Sequence, residues 1–326
     1  MRSKYFTRHG VRHSLLAAAL AGSALVASCG GGGQVNPFSP NRVLAFGDEL
    51  STIEADGRKY SINGFKQVTV NGVATDDPTT LDCTRFPLWV QTVATSFALA
   101  FDRCLGTATA ASGQILARPG HKVADFAAQI AAVQGNALGE KDLALVMIGM
   151  NDILELYARY PTTGRDALLG EARTRGAALG QQVNTLAQRG PAVVVLTVPD
   201  IGQSPFALAQ NTSTGDATRA ALISEMTAVF NNRMSVELIN DGRLIGLVYA
   251  DIELQNNVKF AANFGLANVT SAACLDTAVL PACTTATLVA TATPTSWLWA
   301  DGFRLSPAGQ TRLGLLAESR ARNNPF

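Results

Sequence analysis

Histidine is close to absent from this chain. Its 326 residues hold three, His9, His13 and His121, and two of these fall within the first 28 positions. Chemistry that needs several imidazoles has little to build on. Zinc is disfavoured too, because the cysteines beyond residue 29 lack metal-ligand spacing and have no histidine beside them. No metal and no cofactor are expected. An excess of charge of either sign is also lacking, with 26 basic residues against 25 acidic. This argues against nucleic acid as a partner. There is no internal repeat, and the only low-complexity tract is Gly30 to Gly33. What the chain has is apolar content, 47% against 16% charged. That suffices for one sizeable α/β domain or two small ones.

The N-terminus reads as a targeting signal over residues 1–28. Arg2, Lys4, Arg8 and Arg12 form a basic stretch, followed by an apolar run from Leu15 to Val26 that is too short for a comfortable membrane span. The run ends in Val26-Ala27-Ser28-Cys29, which resembles a bacterial lipobox. Cleavage before Cys29 would leave its thiol to carry lipid, with residues 29–40 as a flexible Gly-rich tether. An ordinary secretory signal with an incidental cysteine is the alternative. Residue 30 is not Asp, which by the sorting pattern of such signals implies an outer-membrane lipoprotein. The expected partner is therefore the membrane, through the lipid. Loss of residues 1–28 removes four of the 26 basic residues, so 22 face 25 acids and the net charge becomes −3. His121 is then the single histidine. Four cysteines remain, an even number that suits disulfides in an exported protein. Cys83 with Cys104 and Cys274 with Cys283 is the simplest of three pairings.

Short apolar runs alternate with helical periods. Val43–Phe46, Leu143–Ile148, Val193–Val198 and Leu244–Ala250 read as buried strands. Helices are predicted over 87–100, 122–133, 165–188 and 217–238, with a last one capped by Ser306 and opened by Pro307. Gln67–Val73, with its Asn-Gly, reads as a small hairpin. The alternation predicts a three-layer α/β/α sandwich on a parallel, flavodoxin-like sheet over residues 41–326, with an insertion at about 253–295. A monomer is expected. In such sheets ligands bind beyond the carboxyl ends of the strands.

Three blocks lie at such junctions: Gly47-Asp48-Glu49-Leu50-Ser51, Gly149-Met150-Asn151-Asp152, and Asp301-Gly302-Phe303-Arg304-Leu305-Ser306-Pro307-Ala308-Gly309. In this order they resemble the GDSL, or SGNH, esterase family, whose blocks read FGDSLS, GxND and DGxHLTPAG. A weaker match, Ala111-Ser112-Gly113, lies near the place of the family's oxyanion-hole glycine. The resemblance implies an α/β/α ester hydrolase in which a serine attacks, a histidine takes its proton, and an aspartate three residues earlier orients the histidine. It implies an oxyanion hole made by the serine's own N–H, a glycine N–H and the Asn side chain.

Carried over by position, the nucleophile is Glu49 and the base is Arg304. Asp301 keeps the place of the orienting acid, and Gly113 and Asn151 those of the oxyanion groups. Asp48, Gly149 and Asp152 fall to supporting roles, the two acids as acceptors for backbone N–H groups at strand ends. A guanidinium has no acceptor and cannot act as a general base. A glutamate is a poor nucleophile towards an ester. Serine and histidine would have been neighbours, so Glu49, Arg304 and Asp301 are expected to form an ion-pair cluster. Three readings stay open: a degenerate site that binds an envelope glycan or acyl ligand, altered chemistry using Glu49 and Arg304, or a relocated triad. The last would need His121, with Ser51 pointing away from the nucleophile position and His121 more simply read as exposed.

Overall fold

The computed structural model describes residues 37–239 and 241–326. The targeting segment, Cys29 and most of the tether lie outside the described residues. In chain order the strands are β1 (Arg42–Gly47), β2 (Gly64–Val70), β3 (Val73–Asp82), β4 (Gly113–Ile115), β5 (Asp142–Met147), β6 (Ala192–Leu196), β7 (Ile245–Val248), β8 (Asn268–Ala272) and β9 (Trp297–Trp299). The helices are α1 (Trp89–Ser96), α2 (Phe126–Ala131), α3 (Met150–Ala158), α4 (Arg165–Ala187), α5 (Pro205–Thr214), α6 (Arg219–Glu237), α7 (Ala250–Lys259) and α8 (Pro307–Asn323). No described helix is long and apolar enough to cross a membrane.

Five strands form one sheet in the order β4-β1-β5-β6-β7, all parallel. This is the flavodoxin-like order, in which the chain reverses direction across the sheet between β1 and β5. Helices flank the sheet, with α1 against α8 and α4 against α6. β1, β5 and β6 are continuous apolar runs because neither face of a covered sheet meets water. Each of their residues from Val43 to Phe46, Leu143 to Met147 and Val193 to Leu196 is buried.

The structure departs from the sequence expectation in several elements. The hairpin β2–β3 is far longer than seven residues, and its outer part is exposed on both faces. Helix 122–133 is split into a 3-10 turn, Val123–Asp125, and the short α2. The stretch 253–295 is not a separate insertion at its start, since it begins inside α7. Beyond α7 it pairs β8 with β9 and builds a small second core of Ile62, Ala273, Leu280 and Trp297 around the Cys274–Cys283 disulfide. The Cys83–Cys104 disulfide lies by α1, so the two bonds follow the simplest pairing.

Candidate active site

The three sequence blocks converge at the carboxyl ends of β1 and β5. β1 ends on Gly47, whose φ of +142° only glycine holds easily. A Cβ there would lie 2.0 Å from the Met147 carbonyl oxygen, so the turn after β1 runs against β5. Asp48 then caps a 3-10 turn, Glu49–Ser51, by accepting from the Leu50 N–H at 3.1 Å. After β5, Gly149 takes φ +132° at the N-terminus of α3, with its missing Cβ replaced by the Phe230 ring. This sets Asn151 in the first turn of α3. The third block forms the loop between β9 and α8. Asp301 Oδ1 accepts from the N–H groups of Phe303 (3.1 Å) and Arg304 (2.7 Å), which folds the loop back on itself.

Glu49 is 2% exposed, and both of its oxygens are engaged. Oε1 accepts from Arg304 Nε at 3.2 Å and Nη2 at 3.1 Å. Oε2 accepts from the Gly120 N–H at 2.9 Å and from Asn151 Nδ2 at 2.8 Å. Arg304 gives its remaining Nη1 to Asp301 Oδ2 at 2.5 Å, so one cation bridges two acids. Its guanidinium also stacks on Phe303 at 4.4 Å and lies 5.6 Å from the centre of the Tyr60 ring. Burial alone would lower the Arg304 pKa, but the charges of Asp301 and Glu49 outweigh it and raise the value. Arg304 is therefore a permanent cation.

Gly113 does not reach this cluster. It pairs with Val43 at the amino end of β4, where a Cβ would lie 2.5 Å from Val43 Cγ1. Its glycine identity is explained by packing. The backbone N–H that meets Glu49 is that of Gly120, past the carboxyl end of β4. The signal for it in the sequence was the turn dipeptide Pro119-Gly120, together with the rule that sites form at carboxyl ends.

Asp48 and Asp152 are both buried. Asp152 accepts from the Val123 N–H at 2.9 Å and from Arg175 at 3.2 Å, and burial raises its pKa. Burial, reinforced by the neighbouring Glu49 charge, pushes the Asp48 carboxyl well above its usual range. Its Oδ2 has no hydrogen-bond partner.

His121 was expected to be exposed, and the structure holds it half-buried at the edge of the cluster. Its carbonyl accepts from Asn151 Nδ2 at 3.1 Å, and its Nδ1 lies 2.8 Å from Gln129 Nε2. Gln129 is oriented by Gly47, accepting from its N–H and donating to its carbonyl. That makes Nδ1 an acceptor and assigns the proton to Nε2. Ser51 is buried and accepts from Trp89 Nε1 at 3.1 Å. No hydrogen bond joins Ser51 to His121 among the described residues. Trp297 and Trp299 are buried, Trp299 donating to the Val269 carbonyl. A groove of about 310 Å³ lies beside α3, lined by Lys122, Asp152, Arg175 and Gln182, without Glu49.

No curated protein matches this chain. Among solved structures, a variant of an acetyl xylan esterase from Geobacillus stearothermophilus is similar at 15% identity and a TM-score of 0.40, over 87% of this chain and 95% of that one. Residues 43–316 match the GDSL-like Lipase/Acylhydrolase family, which spans all three blocks and the whole parallel sheet. With the blocks gathered at the carboxyl ends of β1 and β5, the chain belongs to the GDSL-like lipase/acylhydrolase family.

Proposed function

We propose that this member of the family is an envelope lipoprotein that has lost serine-type ester hydrolysis and uses the old cleft for binding. One observation carries the reading. The carboxylate of Glu49 takes up the Gly120 N–H and the Asn151 amide, the donors that would otherwise hold a developing oxyanion. Nothing in the cluster can deprotonate a nucleophile, because Arg304 is committed as a cation to Glu49 and Asp301. Water activation by Glu49 is disfavoured as well, since both of its oxygens already accept two hydrogen bonds each. An envelope glycan or an acyl compound is the ligand expected for the cleft. Lipid on Cys29 would hold the domain at the membrane.

The test is hydrolysis of short-chain p-nitrophenyl esters by the purified protein. Wild type should be silent, and the double variant Glu49→Ser with Arg304→His should gain turnover. Wild-type turnover that Glu49→Ala abolishes would overturn the proposal and establish the Glu–Arg pair as a working site.

A further inference from the structure

The four donors around Glu49 belong to residues or turns that are also held by contacts not involving Glu49. Gly120 sits in a turn in which the Arg118 N–H donates to the Gly47 carbonyl and the His121 N–H to the Arg118 carbonyl. Asn151 is fixed in α3 and also donates to the His121 carbonyl. Arg304 is held by Asp301 and stacked on Phe303. Each donor is thus oriented by a second partner, and together they present two N–H groups to each of two oxygens. That geometry suits a planar carboxylate.

We infer that these donors form a built carboxylate-binding site, and that Glu49 is its occupant in cis. The inference rests on the cleft being a binding site rather than a hydrolytic one. Charge restricts the ligand class. With Glu49 absent, Arg304 and Asp301 cancel, and a monoanion restores the balance seen in the structure. A neutral ester or hydroxyl would leave Arg304 with Asp301 alone. A phosphate dianion would set a second negative charge beside Asp301. A ligand that displaces the Glu49 side chain therefore has to present a carboxylate in its place. As a tethered group, Glu49 competes at an effective concentration on the order of millimolar or more, so wild type binds free carboxylates weakly.

The test is calorimetric titration of wild type, Glu49→Ala and Glu49→Ser with sodium acetate and formate, against sodium chloride at equal ionic strength. Glucuronate and octanoate arms separate a sugar acid from a fatty acid as the better fit. Glu49→Ala should bind acetate saturably, at least about tenfold tighter than wild type, with a matching rise in melting temperature. Adding Asn151→Ala or Arg304→Met to it should abolish that binding. If Glu49→Ala folds only when acetate is present, the site is likewise supported, and Glu49→Ser then serves for titration. Folded Glu49→Ala and Glu49→Ser proteins that bind neither acetate nor formate beyond the chloride control would overturn the inference. So would binding that survives loss of both Asn151 Nδ2 and the Arg304 guanidinium. Binding is read by heat and hydrolysis by chromophore release, so failure of this inference is distinct from failure of the proposed function.

Discussion

Glu49 and Arg304 form a largely buried ion pair, and each should be stable in its place only with the other. Arg304→Ala would leave the Glu49 carboxylate buried without its cation, which should cost about 3–5 kcal/mol. The double variant Glu49→Ala with Arg304→Ala should cost clearly less than the sum of the single changes. Chemical denaturation of the four proteins measures that coupling, and additive losses would mean the pair is independent. Asp48 offers a pH test. Its folded pKa lies above the unfolded value of 3.8, because of burial and the Glu49 charge. Below 3.8 the acid form is present in both states and nothing is lost. As pH rises through the folded value, the folded state holds the proton longer than the unfolded one, and stability falls. Asp48→Asn should remove that loss, raising the melting temperature by a few degrees at pH 7 and by nothing at pH 3. Glu49, Arg304 and Asp301 were legible in the sequence because each stands at a fixed place in a contiguous block. Gly120 was legible only as a turn, through Pro119-Gly120, because a backbone N–H donor has no residue-type signature.

At the scale of elements, the site depends on two turns that glycine alone permits. Gly149→Ala would force a Cβ to within 2.6 Å of the Phe230 ring at φ +132°. Strain and overpacking together should cost about 2–4 kcal/mol, read as a lowered denaturant midpoint. A second device lies at the base of the β2–β3 hairpin. Lys59 is fully buried, and its Nζ donates to the carbonyls of Cys83 (2.9 Å), Arg85 (2.5 Å) and Phe86 (3.0 Å). Lys59→Met would strip three part-buried acceptors of their donor and should destabilise the fold by about 2–3 kcal/mol. Burial, opposed by the charge of Asp82, lowers the Lys59 pKa to about 7, below its ordinary 10.5. Between these values the unfolded chain binds more protons, so the Lys59 contribution favours folding increasingly as pH rises from 7 towards 10. A melting series over that range, compared with Lys59→Met, shows the slope. The buried strands were legible because a covered sheet demands continuous apolar runs. α3, α5 and α7 were missed, since each is a short helix of nine or ten residues. The hairpin was underestimated because a ribbon exposed on both faces has no hydrophobic alternation to betray its length.

At the scale of the whole molecule, the disulfides tie peripheral loops to the α/β frame. Cys83–Cys104 joins the end of the hairpin to the segment before β4, and Cys274–Cys283 closes a loop on the second small core. Full reduction should lower stability by about 2–4 kcal/mol per bond, with the parallel sheet still forming, as read by far-UV circular dichroism during thermal melting. The sequence by itself determined the fold class, the family and the residues that stand in the three blocks. Apolar periodicity and contiguous blocks are local, and so is the charge carried by each side chain. Only the tertiary structure decided what Glu49 and Arg304 contact. It brought Gly120 rather than Gly113 to the cluster and set His121 at its edge. It turned one Glu49 oxygen towards the Asn151 amide and the other towards Arg304. Those contacts join residues up to 255 positions apart, and closure over such distances is set by the packing of the whole sheet rather than by any stretch of chain.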